Sequence, residues 1–176
     1  MLEEYLLSHY DLKSYLLKKE RVAELDAKII DAEVHQREVE HYMEKISPVY
    51  DDMPKGNEHR DKVADMVIKM MRDREMFTKS LESYNTEKQV ILYELAMTRL
   101  AVSKVHDEQL RKILEWYYLE GCDIVPMVTR EYRDIAGTVQ TIGLTADGIR
   151  KKLRRYLQKL DLKQPLSSHF IPSYSA

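Results

Sequence analysis

HRDKVADMVIKMMRDREMFTKSLESYNTEKQVILYELAMTRLAVSKV, residues 59–105, is the stretch that decides the fold. Val63, Val67, Met70, Arg74, Phe77, Leu81, Tyr84, Lys88, Ile91, Leu95, Thr98, Val102 and Val105 follow one another at alternating steps of four and three, and ten of these thirteen positions are apolar. Steps of three and four return to one face of an α-helix, so the stretch reads as a single long helix with a heptad seam. No proline or glycine interrupts the chain between Arg60 and Glu120. A helix of this length spans roughly 70 Å and cannot bury its seam alone.

The partner for that seam lies upstream. Val22, Leu25, Ile29, Ala32, Val39, Met43 and Ile46 form a second apolar stripe, with Lys18, Lys19, Glu20, Arg21, Glu24 and Lys28 crowded between its members. Residues 1–46 therefore read as helical, with a break near Ser8–Asp11. Between the two helices, Ser47-Pro48-Val49-Tyr50-Asp51-Asp52-Met53-Pro54-Lys55-Gly56-Asn57 holds two prolines and a glycine and reads as a connection over about 47–58. The pair Asp51-Asp52 lacks the spaced ligands a metal site needs and suits a turn. Met66, Met70, Met71 and Met76, at helical spacing, read as core. The expectation for residues 1–105 is an antiparallel, coiled-coil-like hairpin that serves dimerisation or partner binding.

Beyond Val105 the chain changes character. Asp107 and Glu108 suit a helix N-terminus, Leu110, Ile113, Leu114 and Tyr117 make an apolar face, and Gly121 stops the helix. Residues 122–131, with Pro126, read as irregular. A second helix is expected from Tyr132 to Ile142 with Ile135, Val139 and Ile142 inward, closed by Gly143. Thr145 is a suitable N-cap for a last helix to about Leu160. Helix, glycine turn, basic helix is a helix-turn-helix order over 106–162, with 163–176 as a flexible tail. The fold class is all-α.

Charge distribution separates the two parts. The chain carries a formal net charge of −2. Residues 130–163 hold nine Lys/Arg and four acids, 9 − 4 = +5, which leaves −7 for the remainder. An acidic body with a basic module is expected where only the module meets a polyanion. Ile149 and Leu153 would pin the last helix inward. Thr145, Ala146, Asp147, Arg150, Lys151 and Arg154 would then face the major groove of double-stranded DNA, with Lys152, Arg155 and Lys159 closer to phosphates.

Glu115-Trp116-Tyr117-Tyr118-Leu119-Glu120-Gly121, then Gly143-Leu144-Thr145 and Ile149-Arg150-Lys151-Lys152-Leu153, resembles sigma factor region 4. The segment Ser47–Gly56 between two long helices resembles small phage and prophage proteins of Gram-positive bacteria related to the ArpU/RinA type of late-gene transcription regulators. The resemblance covers roughly residues 15–162. It departs in two places: about ten extra residues, Cys122 to Glu131, precede the expected second helix, and Thr138-Val139 stands where an Ile-Ala pair is usual. The resemblance implies a phage-encoded transcription factor acting in the bacterial cytoplasm.

Other classes find little support. His9, His35, His41, His59, His106 and His169 share no metal-ligand spacing with Cys or carboxylates, and there is no phosphate-cradling glycine loop or nucleophile motif. No cofactor, metal or catalytic residue is expected. The one cysteine, Cys122, excludes an intramolecular disulfide, fits a reducing compartment and reads as a small buried hydrophobe. No stretch approaches the roughly 20 apolar residues of a membrane span, so no membrane partner is expected, and the acidic start, MLEEYLLSHYDLK, is unlike a secretory signal. The competing reading is a protein-binding module that grips RNA polymerase, or inhibits another host or phage protein, without touching DNA.

Overall fold

The computed structural model describes residues 7–51, 57–134 and 136–163, with side chains throughout except at 46–51, 57–63 and 162–163. The fold is all-α apart from one short hairpin of strands. In chain order the elements are α1 (His9–Asp51), α2 (Asn57–Ser103), α3 (Glu108–Leu114) continued by a π turn (Glu115–Leu119), α4 (Ile124–Met127), β1 (Glu131–Arg133), β2 (Val139–Thr141) and α5 (Ala146–Lys163). Packing divides the chain into two compact units, one of residues 1–19 and 93–176, the other of Glu20–Leu92.

The Glu20–Leu92 unit is two helices on one seam. Arg21 Nε donates to Glu87 Oε1 at 2.8 Å, Lys88 Nζ lies 2.5 Å from Asp26, His35 stacks on Phe77 at 5.6 Å, and Arg74 reaches Glu40 at 3.4 Å. The contacts run from Arg21–Glu87 and Asp26–Lys88 to His35–Phe77 and Glu40–Arg74, so the pair is antiparallel. The two basic interruptions of the heptad, Arg74 and Lys88, each meet an acid of α1 flanking its seam. Such pairs hold the register more than they stabilise, since exposed ion pairs contribute only about 0.2–1 kcal/mol. Leu25 and Ala32 are the buried side chains described here. Of the four methionines read as core, only Met70 faces the seam. Met66, Met71 and Met76 are about half exposed, because the seam takes one residue in every three or four and these three fall outside it.

The other unit holds the larger core. Ser8 and Asp11 form a reciprocal cap: the Asp11 N–H donates to Ser8 Oγ and the Ser8 N–H to Asp11 Oδ2, both at 3.0 Å. This starts α1 where the sequence suggested a break. Leu12 and Tyr15 of α1, Val102 of α2, Leu110, Ile113, Leu114, Trp116, Tyr118 and Leu119 of α3 and its π turn, Met127, Ile142, Ile149 and Leu153 bury together. Each large apolar side chain so buried contributes about 1.5–3 kcal/mol. The π turn rotates the register of α3, so Trp116, Tyr118 and Leu119 go inward and Tyr117 is half-buried. Gly121 closes this helix at φ +73°, and a Cβ there would meet Leu16 Cδ1 at 3.1 Å.

Two expectations about secondary structure need correction. The connection does not begin at Ser47: α1 runs through Pro48 to Asp51 and α2 starts at Asn57. Pro48 lies in the last turns of α1, where it forgoes a single backbone bond. Asp52–Gly56 lie outside the described residues, as do the side chains of Asp51 and Ile46 and the tail beyond 163.

The second correction is larger, because Tyr132–Ile142 is not a helix. It is an antiparallel strand pair in which Glu131 faces Thr141, Tyr132 faces Gln140 and Arg133 faces Val139. Asp134 ties its end. Its carbonyl accepts from the Gly137 N–H at 2.9 Å, its Oδ1 from the Thr138 N–H at 2.8 Å and its Oδ2 from Gln140 Nε2 at 2.6 Å. Gly137 at φ +81° makes the reversal possible, and Thr138, Val139 and Thr141 favour extended backbone. Val139, expected inward, is 52% exposed, while Ile142 is fully buried.

Candidate nucleic-acid interface

Helix α5 carries the candidate surface. Thr145 caps it: its Oγ1 accepts from the Gly148 N–H at 3.2 Å and its carbonyl from the Ile149 N–H at 3.0 Å. Apolar side chains recur along one side, so Ile149 and Leu153 enter the core and Tyr156, Leu157 and Leu160 pack against it. The charged remainder is forced outward. Asp147, Arg150, Lys151, Arg154, Arg155 and Lys159 are exposed, Thr145 also, and Ala146 is half-buried.

The expected site residues differ in their commitments. Lys151, Arg154, Arg155 and Lys159 make no ion pair or hydrogen bond among the described residues. Arg150 Nη1 is 2.7 Å from Asp147 Oδ1 one turn earlier, an exposed pair that a stronger anion can displace. Lys152 is different. Its Nζ reaches Asp107 Oδ2 at 2.8 Å and donates to Gln109 Oε1 at 2.5 Å. Gln109 Nε2 in turn donates to the Ile142 carbonyl.

This small network fastens the start of α3 to the middle of α5 and to the residue leaving β2. Asp107 does double duty as the N-cap of α3, accepting from the Leu110 N–H at 2.9 Å. Burial alone would raise its carboxyl, but the Lys152 ammonium and the Leu110 N–H outweigh that and hold it below its ordinary value. Beside the network lies an open groove of about 510 Å³, lined by Lys151, Lys152, Arg155, Lys159 and Tyr156 from α5 and by Asp107 and Gln109 opposite. Four cations against one carboxylate leave it a concave basic surface.

Sequence reasoning missed the parts that hold α5 in place. Instead of a second long helix, α3 and the single turn of α4 pack on α5, with Met127 of α4 fully buried. The segment 122–131, read as irregular, therefore supplies the short helix that follows Gly121, and residues 131–141 form the strand pair. Arg130 locks this segment. Its guanidinium lies 4.6 Å over the Trp116 ring, 2.8 Å from Glu120 and 3.1 Å from Cys122 Sγ, while Tyr132 meets Trp116 edge-on at 6.1 Å. Cys122 is thus half-buried among polar neighbours. Its single-residue signal in the sequence could not show this; the aromatic-rich EWYYLEG run followed by an arginine was the available hint.

Among the described residues no three or more His, Cys, Asp or Glu side chains gather to hold a metal ion, and no helix is long and apolar enough to cross a membrane. No family model, curated protein or solved structure matches the chain.

Proposed function

We propose that this protein is a non-enzymatic transcription regulator that binds double-stranded DNA through α5, with the helical hairpin bringing two copies together. The observation that carries this reading is the outer side of α5. Arg150, Lys151, Arg154, Arg155 and Lys159 stand exposed on a helix whose opposite side is anchored by Ile149 and Leu153. A capped helix held by its apolar side and bare on its basic side suits the major groove, with side chains of its first turns at base edges. The resemblance of 115–121 and 143–153 to sigma factor region 4, and of 47–56 to ArpU/RinA-type phage regulators, supports the same reading.

The test is a titration of fluorescent random-sequence duplex at several salt concentrations. If three to five of the cations meet phosphates, the log–log salt slope is about −2.7 to −4.5 per α5, a loss of about 40- to 500-fold between 50 and 200 mM salt. Absence of any salt-dependent affinity for duplex DNA overturns the reading. The competing partner is a protein such as RNA polymerase. It draws on Val125 and Val139, which α4 and β2 leave 67% and 52% exposed, and direct binding to polymerase without DNA would favour it.

A further inference from the structure

The hairpin unit Glu20–Leu92 is short of core. Its two helices meet along one seam, and Leu25 and Ala32 are the buried side chains described in it. Helices of this length draw most of their stability from packing rather than from propensity. Apolar side chains remain outside the seam, among them Ile68, Met71 and Met76 of α2, at 47, 57 and 54% exposure. Shallow grooves flank Arg72, Glu75 and Lys79 on this outer side of the helix.

The charges on that side have an order of their own. Away from the seam residues Phe77, Leu81 and Tyr84, the steps of three and four run Arg72, Glu75, Lys79, Glu82, and all four are exposed. Arg72 and Glu82 lie equally far from Phe77 on either side and carry opposite signs. Glu75 and Lys79 also lie equally far from Phe77 and carry opposite signs. The pattern therefore inverts its sign when the helix is reversed. A second α2 laid antiparallel on the first meets plus with minus at every layer. Laid parallel and in register, it meets like charge with like charge, which opposes pairing.

We infer that this face is where two copies of the chain associate, α2 against α2, antiparallel about a two-fold axis at the level of Met76 and Phe77. Arg72 of each copy meets Glu82 of the other, and Glu75 of each meets Lys79 of the other. The four ion pairs span about 15 Å of helix. Met76 comes close to its own counterpart near the axis, where the flexible thioether fills an irregular gap. Within one chain Glu75 and Lys79 pair with each other at 2.7 Å, both exposed, and this local bridge is exchanged for two across the axis. An isologous contact of this kind closes on itself and yields a dimer of hairpins, with the two α2 helices in the middle and each α1 on the far side of its own α2. The inference rests on the hairpin being the associating part of the chain. The DNA contact through α5 stands or falls separately.

Sedimentation velocity of the full chain, at 50 and 500 mM salt, tests it. The expected wild type is a dimer that loosens as salt rises. Arg72→Glu sets acid against acid at both ends of the contact and weakens association by about tenfold or more. Glu82→Arg does the same with bases. An equimolar mixture of the two single variants recovers the dimer, because only in the mixed pair does the acid introduced at 72 meet the base introduced at 82, while the unchanged Arg72 of one chain meets the unchanged Glu82 of the other. The chain bearing both substitutions recovers it too. Circular dichroism of each variant keeps loss of folding apart from loss of pairing, and both sites are exposed. A wild type that stays monomeric at tens of micromolar overturns the surface and the association together. A dimer indifferent to either single substitution, or not restored by mixing, overturns this surface while leaving hairpin association standing. In each case the salt slope on duplex DNA reports on α5 independently.

Discussion

Lys151 and Lys152 are neighbours on α5 with opposite employment, and substituting each in turn tests the site most sharply. Lys151 is exposed and makes no contact that folding needs, so Lys151→Ala should change stability by less than about 0.5 kcal/mol. If it meets a phosphate, its loss reduces the salt slope by about 0.9 and costs about eightfold in affinity at 0.1 M salt. Lys152 has its side chain 26% exposed and its partner Asp107 47% exposed. A fully buried charged hydrogen bond contributes about 1.5–3 kcal/mol, but this much exposure brings the Asp107 and Gln109 bonds together to about 1 kcal/mol. For a chain of this size that is roughly 2–4 °C in melting temperature.

Lys152→Met is the better substitution, because it keeps the apolar stem and removes only the ammonium. Its expected signature is an earlier melt with a near-normal salt slope, the reverse of Lys151→Ala. Thermal melts by circular dichroism and duplex titrations at four salt concentrations on both variants read the two quantities. If Lys152→Met melts like the wild type and loses a full unit of slope, the ammonium is facing DNA and the Asp107–Gln109 network does not occupy it. If Lys151→Ala melts early, the outer side of α5 is not free and the reasoning about which cations are available fails with it.

Two further outcomes follow from the packing. Gly121→Ala should lower the melting temperature by about 2–8 °C, since a left-handed residue with a Cβ costs about 1–2 kcal/mol and Leu16 Cδ1 stands 3.1 Å from the new atom; an unchanged melt would show that this turn can relax. A fragment of residues 106–163 should give a largely unfolded circular dichroism spectrum, because Leu12, Tyr15 and Val102 complete its core from outside; a cooperative melt of the isolated fragment would show that it needs none of them.

How far the fold could be read from the sequence depended on the length of each pattern. The α2 seam repeats over many turns, so three polar members could not disguise it, and each is accommodated: Arg74 by Glu40, Lys88 by Asp26, and Thr98 by its own helix through the Glu94 carbonyl. Tyr132, Ile135, Val139 and Ile142 imitate the same spacing over fewer than three turns. There the local chemistry decides instead. Gly137 in mid-helix costs about 1 kcal/mol against alanine, Thr138, Val139 and Thr141 are stiff in a helix, and Asp134 closes the reversal by accepting the Gly137 N–H at its carbonyl and the Thr138 N–H and Gln140 amide at its carboxylate. A four-residue stripe is too short to outweigh them, and Val139 ends on the opposite side from where the stripe would put it.

The site was legible as a sum and illegible in its members. Counting residues 130–163 finds a basic module, but a count treats every cation alike, and a cation can bind an incoming polyanion strongly only if folding has left it unengaged. Arg130 is spent on Trp116, Glu120 and Cys122, and Lys152 on Asp107 and Gln109. Their partners lie in α3 and the turn after it, up to 45 residues away in sequence, so no local pattern announces them. Lys151, Arg154, Arg155 and Lys159 have no such partners among the described residues, while Arg150 has a weak one within its own helix. The separation comes from geometry. The apolar positions of α5 settle which side turns inward, and Lys152 lies at the edge of that side, within reach of the α3 cap, whereas Lys151 lies one residue, about 100° of helix, further round. The same helical period that made α5 easy to find therefore divides its cations into those that hold the helix in place and those that folding leaves unengaged on its outer side.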